Sequence, residues 1–119
     1  MSHCVSWANQ QPIRPSRRRG GVSIKRDLVF LAPNRKEKLD LYQPVSHSAE
    51  DRRPAVVIIH GGGWVNGDKA RQREFISGNM LANAGYIAVS VNYETRRGKR
   101  WPNNLHDCKN SVRWLRKHA

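Results

Sequence analysis

The feature that most restricts this chain is an abrupt change of texture at residue 60. Ala55-Val56-Val57-Ile58-Ile59 is an unbroken, mostly β-branched run, and His60-Gly61-Gly62-Gly63-Trp64 follows it with no spacer. β-branched side chains favour extended backbone. A run without polar alternation fits a strand covered on both faces, as in a parallel sheet flanked by helices. Three consecutive glycines then stop the strand and open backbone conformations closed to other residues. The chain must leave a buried strand through a loop whose N–H groups can come close to a ligand.

The flanking segments fix the class. Upstream, Val22–Ala32 predicts a strand with its apolar core at Leu28-Val29-Phe30-Leu31, punctuated by Pro33-Asn34. Leu39-Asp40-Leu41-Tyr42 alternates as a half-buried strand does, Pro44 closes it, and the short separation suits an antiparallel pair. Downstream, Ile76, Met80, Leu81 and Ala84, with Phe75 beside them, predict an amphipathic helix over Lys69–Ala84, and Gly85 suits the left-handed position beyond it. Tyr86–Tyr93 reads as a second buried strand. Leu105–Lys117 reads as a second helix with Leu105, Cys108, Val112 and Leu115 on its inner face. Asn104 and Asp107 resemble its cap, and Lys117 and His118 suit its negative end. Strand, strand, then βαβα places the chain in the α/β class, with a parallel pair joined by a right-handed crossover.

Composition adds bounds. A chain of 119 residues supports one small domain. Lys and Arg number 22 against 9 acids, a net charge of +13 that raises nucleic acid or an acidic surface as partners. The two basic clusters, Arg17-Arg18-Arg19 and Arg96-Arg97-Gly98-Lys99-Arg100, have no interleaved aromatics for base stacking and read as solvated charge. Residues 1–21, rich in Gln, Pro, Ser, Arg and Gly, read as a disordered basic arm, leaving 22–119 as the folded part. Cys4 and Cys108 have no neighbours at metal-ligand spacing and read as free thiols. No apolar run approaches the length of a membrane span or a signal peptide, so the default expectation is a cytoplasmic protein.

What can the glycine loop hold? Gly62 and Gly67 have the spacing of a phosphate loop, but Asp68 stands where Lys is required. The dinucleotide fingerprint fails because Gly61 and Gly63 lead to Asn66. Backbone N–H groups presented by glycines suit an oxyanion, the charge that develops on a carbonyl oxygen during acyl transfer. Losing one such donor costs about 3–4 kcal/mol of transition-state stabilisation. His60, fixed at the strand end by glycines, fits structural hydrogen bonding better than general-base work. Trp64 either lines an acyl or alcohol pocket or packs under the loop. His106 and Asp107 are helix neighbours on different faces and form no dyad.

The stretch Leu39-Asp40-Leu41-Tyr42-Gln43-Pro44, then Pro54 through Gly67-Asp68-Lys69, then Gly85-Tyr86, Asn92-Tyr93, Trp101-Pro102, Asp107 and Trp114-Leu115, resembles the N-terminal part of hormone-sensitive-lipase-like and feruloyl-esterase-like α/β-hydrolases. The resemblance covers residues 39–119. It implies a three-layer αβα fold and cofactor-independent, metal-free hydrolysis of a small-molecule carboxylic ester through a serine acyl-enzyme. Gly62 and Gly63 would be oxyanion-hole donors, His60 and Gly61 their structural support, and Trp64 a substrate-pocket residue. Two positions depart from the family: Glu94 replaces an Arg after Asn-Tyr, and Ser111 replaces an Ala. None of Ser23, Ser77 and Ser90 sits in Gly-x-Ser-x-Gly, and the acid and histidine of the triad follow that serine in chain order. The expectation is a chain that supplies the oxyanion loop, lacks the triad and is inactive alone. The alternative is a non-enzymatic basic module that binds nucleic acid or an acidic partner.

Overall fold

The structure, a computed structural model, describes residues 21–118, so residues 1–20 of the expected basic arm, with Cys4, lie outside the described residues. Six elements follow in order: β1 (Val22–Leu28), β2 (Leu39–Pro44), β3 (Ala55–Ile59), α1 (Gln72–Asn83), β4 (Ile87–Val91) and α2 (Asn103–His118). They build a four-stranded mixed sheet in the order β1-β2-β4-β3. β1 and β2 are antiparallel, as the short connection predicts, and so are β2 and β4. β3 and β4 are parallel, joined through α1. This is an α/β arrangement with a mixed sheet, as the element order predicts.

The alternation in β2 sorts the core into two layers. Leu39 and Leu41 join Val89 and Val91 under Trp114 and Leu115 of α2. Tyr42 joins Ala88 on the other face, under Leu81 and Ala82 of α1. Helices therefore cover both faces of the sheet. At the end of α1, Gly85 takes φ +98° as expected, and the Tyr86 N–H donates to Leu81 O at 2.9 Å.

The structure departs from several expectations. β1 ends at Leu28 rather than Ala32, because the register slips between Lys25 and Leu28 and Asp27 turns left-handed at φ +58°. Leu28, in register with Leu39, and Phe30, beyond the end of the strand, still reach the α2-side core. The inner face of α1 is Glu74, Gly78 and Ala82, whereas Phe75, Ile76 and Met80 are exposed. Gly78 decides this. It lets the helix close onto the Tyr42 ring, where an added Cβ would sit 2.7 Å from ring carbons. Likewise α2 buries Asn104, Asp107 and Ser111 while Leu105 and Val112 are largely exposed, because ionic and hydrogen-bonded partners draw Asp107 inward. Asp107 is therefore no capping residue.

β3 also differs from a strand covered on both faces. It pairs with β4 along one side, Val56, Val57 and Ile58 are half-buried, and Ala55 and Ile59 are exposed. Unpaired N–H and C=O groups on an uncharged β-branched edge are a template for another chain. Self-association is expected to rise as salt screens the +13 charge, and Ile59→Lys should suppress it. Light scattering across salt checks this; a monodisperse monomer at every salt concentration would contradict it.

Candidate active site

Parallel strands deliver their outgoing loops to one edge of a sheet, and open α/β sheets bind ligands at the carboxyl ends of their strands. Here that edge carries residues 60–71 after β3 and 92–102 after β4. His60 is buried and stacked on Tyr93, with ring centroids 4.4 Å apart. Its Nδ1 lies 2.9 Å from Gly61 O, so the ring carries a proton there, and the Tyr93 hydroxyl donates to His60 O at 2.8 Å. His60 thus spends its polar contacts on holding the loop and β4's exit together.

The glycines are used for approach. Gly62 has φ +134°, and a Cβ there would overlap Asn66 O; Gly67 has φ +116°, and a Cβ there would overlap the His60 ring and Gly61 O. The N–H groups of Val65 and Asn66 both donate to Gly62 O, at 3.1 and 3.3 Å, which closes a tight turn. Among the described residues, the N–H groups of Gly61, Gly62 and Gly63 donate to no protein acceptor. Trp64 follows in a left-handed conformation, φ +63°, and is 61% exposed rather than packed under the loop.

The anchor of this loop was not read from sequence. The Lys69 ammonium sits between Asp40 and Asp27, 2.8 Å from each carboxylate. Asp40 is fully buried, and also accepts from Arg26 at 3.0 Å and from the Asp27 N–H at 2.9 Å. Burial pushes the Lys69 pKa down, but the bonds to Asp27 and Asp40 outweigh it, and the net shift is upward. The Lys69 N–H donates to Asn92 Oδ1 at 2.9 Å, Asn92 Nδ2 donates to Asp68 Oδ1 at 3.0 Å, and the Ser90 hydroxyl donates to Lys69 O at 2.8 Å. The available signal was Asp40, the one charged residue of β2. Lys69→Met leaves a fully buried carboxylate with half-exposed Arg26 and the Asp27 N–H, and is expected to cost about 2–3 kcal/mol. Denaturant unfolding checks this, and a loss below about 0.5 kcal/mol would contradict it.

A second buried cluster fixes the other loop. Arg35 grips Asp107 with two nitrogens, at 3.1 and 2.7 Å, while its Nε donates to Glu37 at 2.9 Å. Asp107 also accepts the Glu94 N–H at 2.9 Å. The Glu94 carboxylate pairs with Arg96 at 2.6 Å, and that bond holds its pKa down at about 2. The charge reversal at Glu94 is therefore absorbed: Arg35 supplies the cation to Asp107 and Arg96 neutralises Glu94. His106 is exposed and takes no part.

The described residues thus bring His60, Gly61, Gly62, Gly63 and Trp64 to one loop at the carboxyl edge of the parallel pair. A sequence model of the BD-FAE family matches residues 39–119. The chain is 27% identical over 92 residues to a probable carboxylic ester hydrolase, LipM, of Mycobacterium tuberculosis, covering 77% of this chain and 21% of that protein. It is 32% identical over 63 residues to esterase LipC of the same organism, covering 53% of this chain and 15% of that protein. In fold it is similar to esterase 2 of Thermogutta terrifontis in its butyrate-bound form, with a TM-score of 0.67 and 31% identity, covering 82% of this chain and 34% of that one. The same esterase is also known phosphorylated by paraoxon. The chain spans about a fifth or less of the curated relatives it matches.

Proposed function

The chain belongs to the BD-FAE family, and on that premise we propose that residues 60–69 are the oxyanion-hole loop of a serine carboxylic-ester hydrolase, within an N-terminal α/β-hydrolase portion running from 22 to 119. The observation that carries this reading is the set of glycine N–H groups at the carboxyl edge of the sheet with no protein acceptor. An attacking serine, supplied by polypeptide outside these 119 residues, converts the ester carbonyl to a tetrahedral oxyanion. Gly62 and Gly63 donate to it, and the loop's anchoring through Lys69 and His60 means little reorganisation is needed at that moment. Exposed Trp64 borders the space where an acyl or alcohol group would lie. Butyrate in the related esterase supports a small-molecule ester as substrate.

The test is a hybrid in which residues 22–119 replace the corresponding segment of the Thermogutta esterase. The folded hybrid is expected to turn over short-chain nitrophenyl esters and to be stopped by paraoxon, while the 119-residue chain alone shows no turnover. A hybrid that folds, judged by circular dichroism, yet hydrolyses nothing would overturn the reading.

A further inference from the structure

Arg26 and Asp27 stand against a single residue of β2. Lys25 is in register with Leu41 and Leu28 with Leu39, so both intervening residues face Asp40. An extra residue of this kind bends a strand and re-aims its side chains. Regular alternation would set residue 27 opposite Leu39, on the α2-side face of the sheet. The bulge turns it instead to the side of Asp40. It does so with Asp27 left-handed at φ +58°; among the described residues, Trp64 of the glycine loop is the other non-glycine residue with positive φ. Aspartate tolerates that region better than most side chains, but its surroundings must hold it there.

The bonds show what the bulge achieves. The Asp27 N–H and Arg26 Nη1 donate to the two oxygens of fully buried Asp40, at 2.9 and 3.0 Å. The Arg26 guanidinium also lies 5.8 Å from the centre of the Phe75 ring, which ties the bulge to the first turn of α1. The Asp27 carboxylate then meets the Lys69 ammonium at 2.8 Å, and that bond holds its carboxyl below the usual range, so it is ionised at neutral pH. Lys69 ends the glycine loop. Its carbonyl accepts from Ser90, the register partner of Asp40, and its N–H donates to Asn92. Back along the loop, Gly67 packs on the His60 ring and Gly62 on Asn66. Contacts thus run without a gap from β1 to the turn that presents the glycines.

We propose that Asp27 is a positioning residue for the glycine loop, placed by the β1 bulge to hold Lys69 and, through it, the N–H groups of Gly62 and Gly63. β1 lies outside residues 39–119, which the family model matches. The catalytic consequence rests on the hydrolase reading. The hold on the loop does not, and is measured separately.

The experiment is residue-resolved amide hydrogen exchange on the 119-residue chain at low salt, followed by kinetics in the hybrid. The N–H groups of Val65, Asn66 and Lys69 are the bonded reporters of the loop. Asp27→Asn keeps the shape and the N–H and deletes the charge; Asp27→Gly deletes the side chain and suits the backbone. Both are expected to speed exchange at those amides about tenfold while β4 stays as protected as in the parent. Asp51→Asn removes an equal charge ahead of β3 and should leave them unchanged. In the hybrid, both Asp27 variants should lower kcat about tenfold with KM within about twofold, because only the aim of the donors changes. Unchanged exchange in the loop, a rise shared equally by β4, an equal effect of Asp51→Asn, or an unaltered kcat in an active hybrid would each overturn the proposal. A parent hybrid that folds and hydrolyses nothing would overturn the hydrolase reading instead, and exchange alone then decides whether Asp27 holds the loop.

Discussion

Arg35→Met is expected to lower the unfolding free energy by about 3–5 kcal/mol. The reason is what it leaves behind. Asp107 is 2% exposed, and Arg35 provides both of the guanidinium bonds that offset its burial. Without them the carboxylate keeps only the Glu94 N–H and the effect of Arg96 at one remove. Domains of this size hold about 5–15 kcal/mol in total, so the variant should sit close to unfolding at ambient temperature. Replacing the pair together, Arg35→Met with Asp107→Leu, should recover most of the loss, because no charge is then left buried. Denaturant unfolding of the three proteins checks this. Equal losses for single and double variants would contradict it.

The same cluster sets an acid limit. Glu94 has a folded pKa of about 2 against 4.5 for an unpaired group. A depressed carboxylate stabilises fully above the unfolded value and loses that contribution as protons bind. The window of loss therefore runs from about 4.5 down to about 2. The difference corresponds to about 3 kcal/mol, and less in practice because Arg96 is half exposed.

Much of the fold was legible in the residues. The texture change at Ile59–His60, the alternation in Leu39–Tyr42 and the spacing of two helical segments give the element order and the parallel pair. The helix faces were not legible, because apolar periodicity reports where apolar residues are, not which face the sheet selects. On α1 a glycine against Tyr42 outweighs Phe75, Ile76 and Met80. On α2 a polar face anchored by Asp107 outweighs Leu105 and Val112. At the candidate site, the glycines announce themselves by composition alone. Their anchor does not, since Asp40 and Lys69 lie far apart in sequence and meet only through the sheet. The partner of Asp107 was hidden for the same reason: Arg35 arrives on a loop 72 residues away.

The central claim concerns two backbone N–H groups, and a side-chain substitution cannot remove an N–H without adding a Cβ. Exchanging the Gly62 or Gly63 amide for an ester, by incorporating glycolic acid at that position in the active hybrid, deletes the donor and adds nothing. At either position kcat is expected to fall about 10²–10³-fold, equivalent to about 2.7–4 kcal/mol, with KM little changed, because the bond forms fully only in the transition state. A kcat that survives both exchanges within a factor of about three would contradict the assignment of this loop as the oxyanion hole.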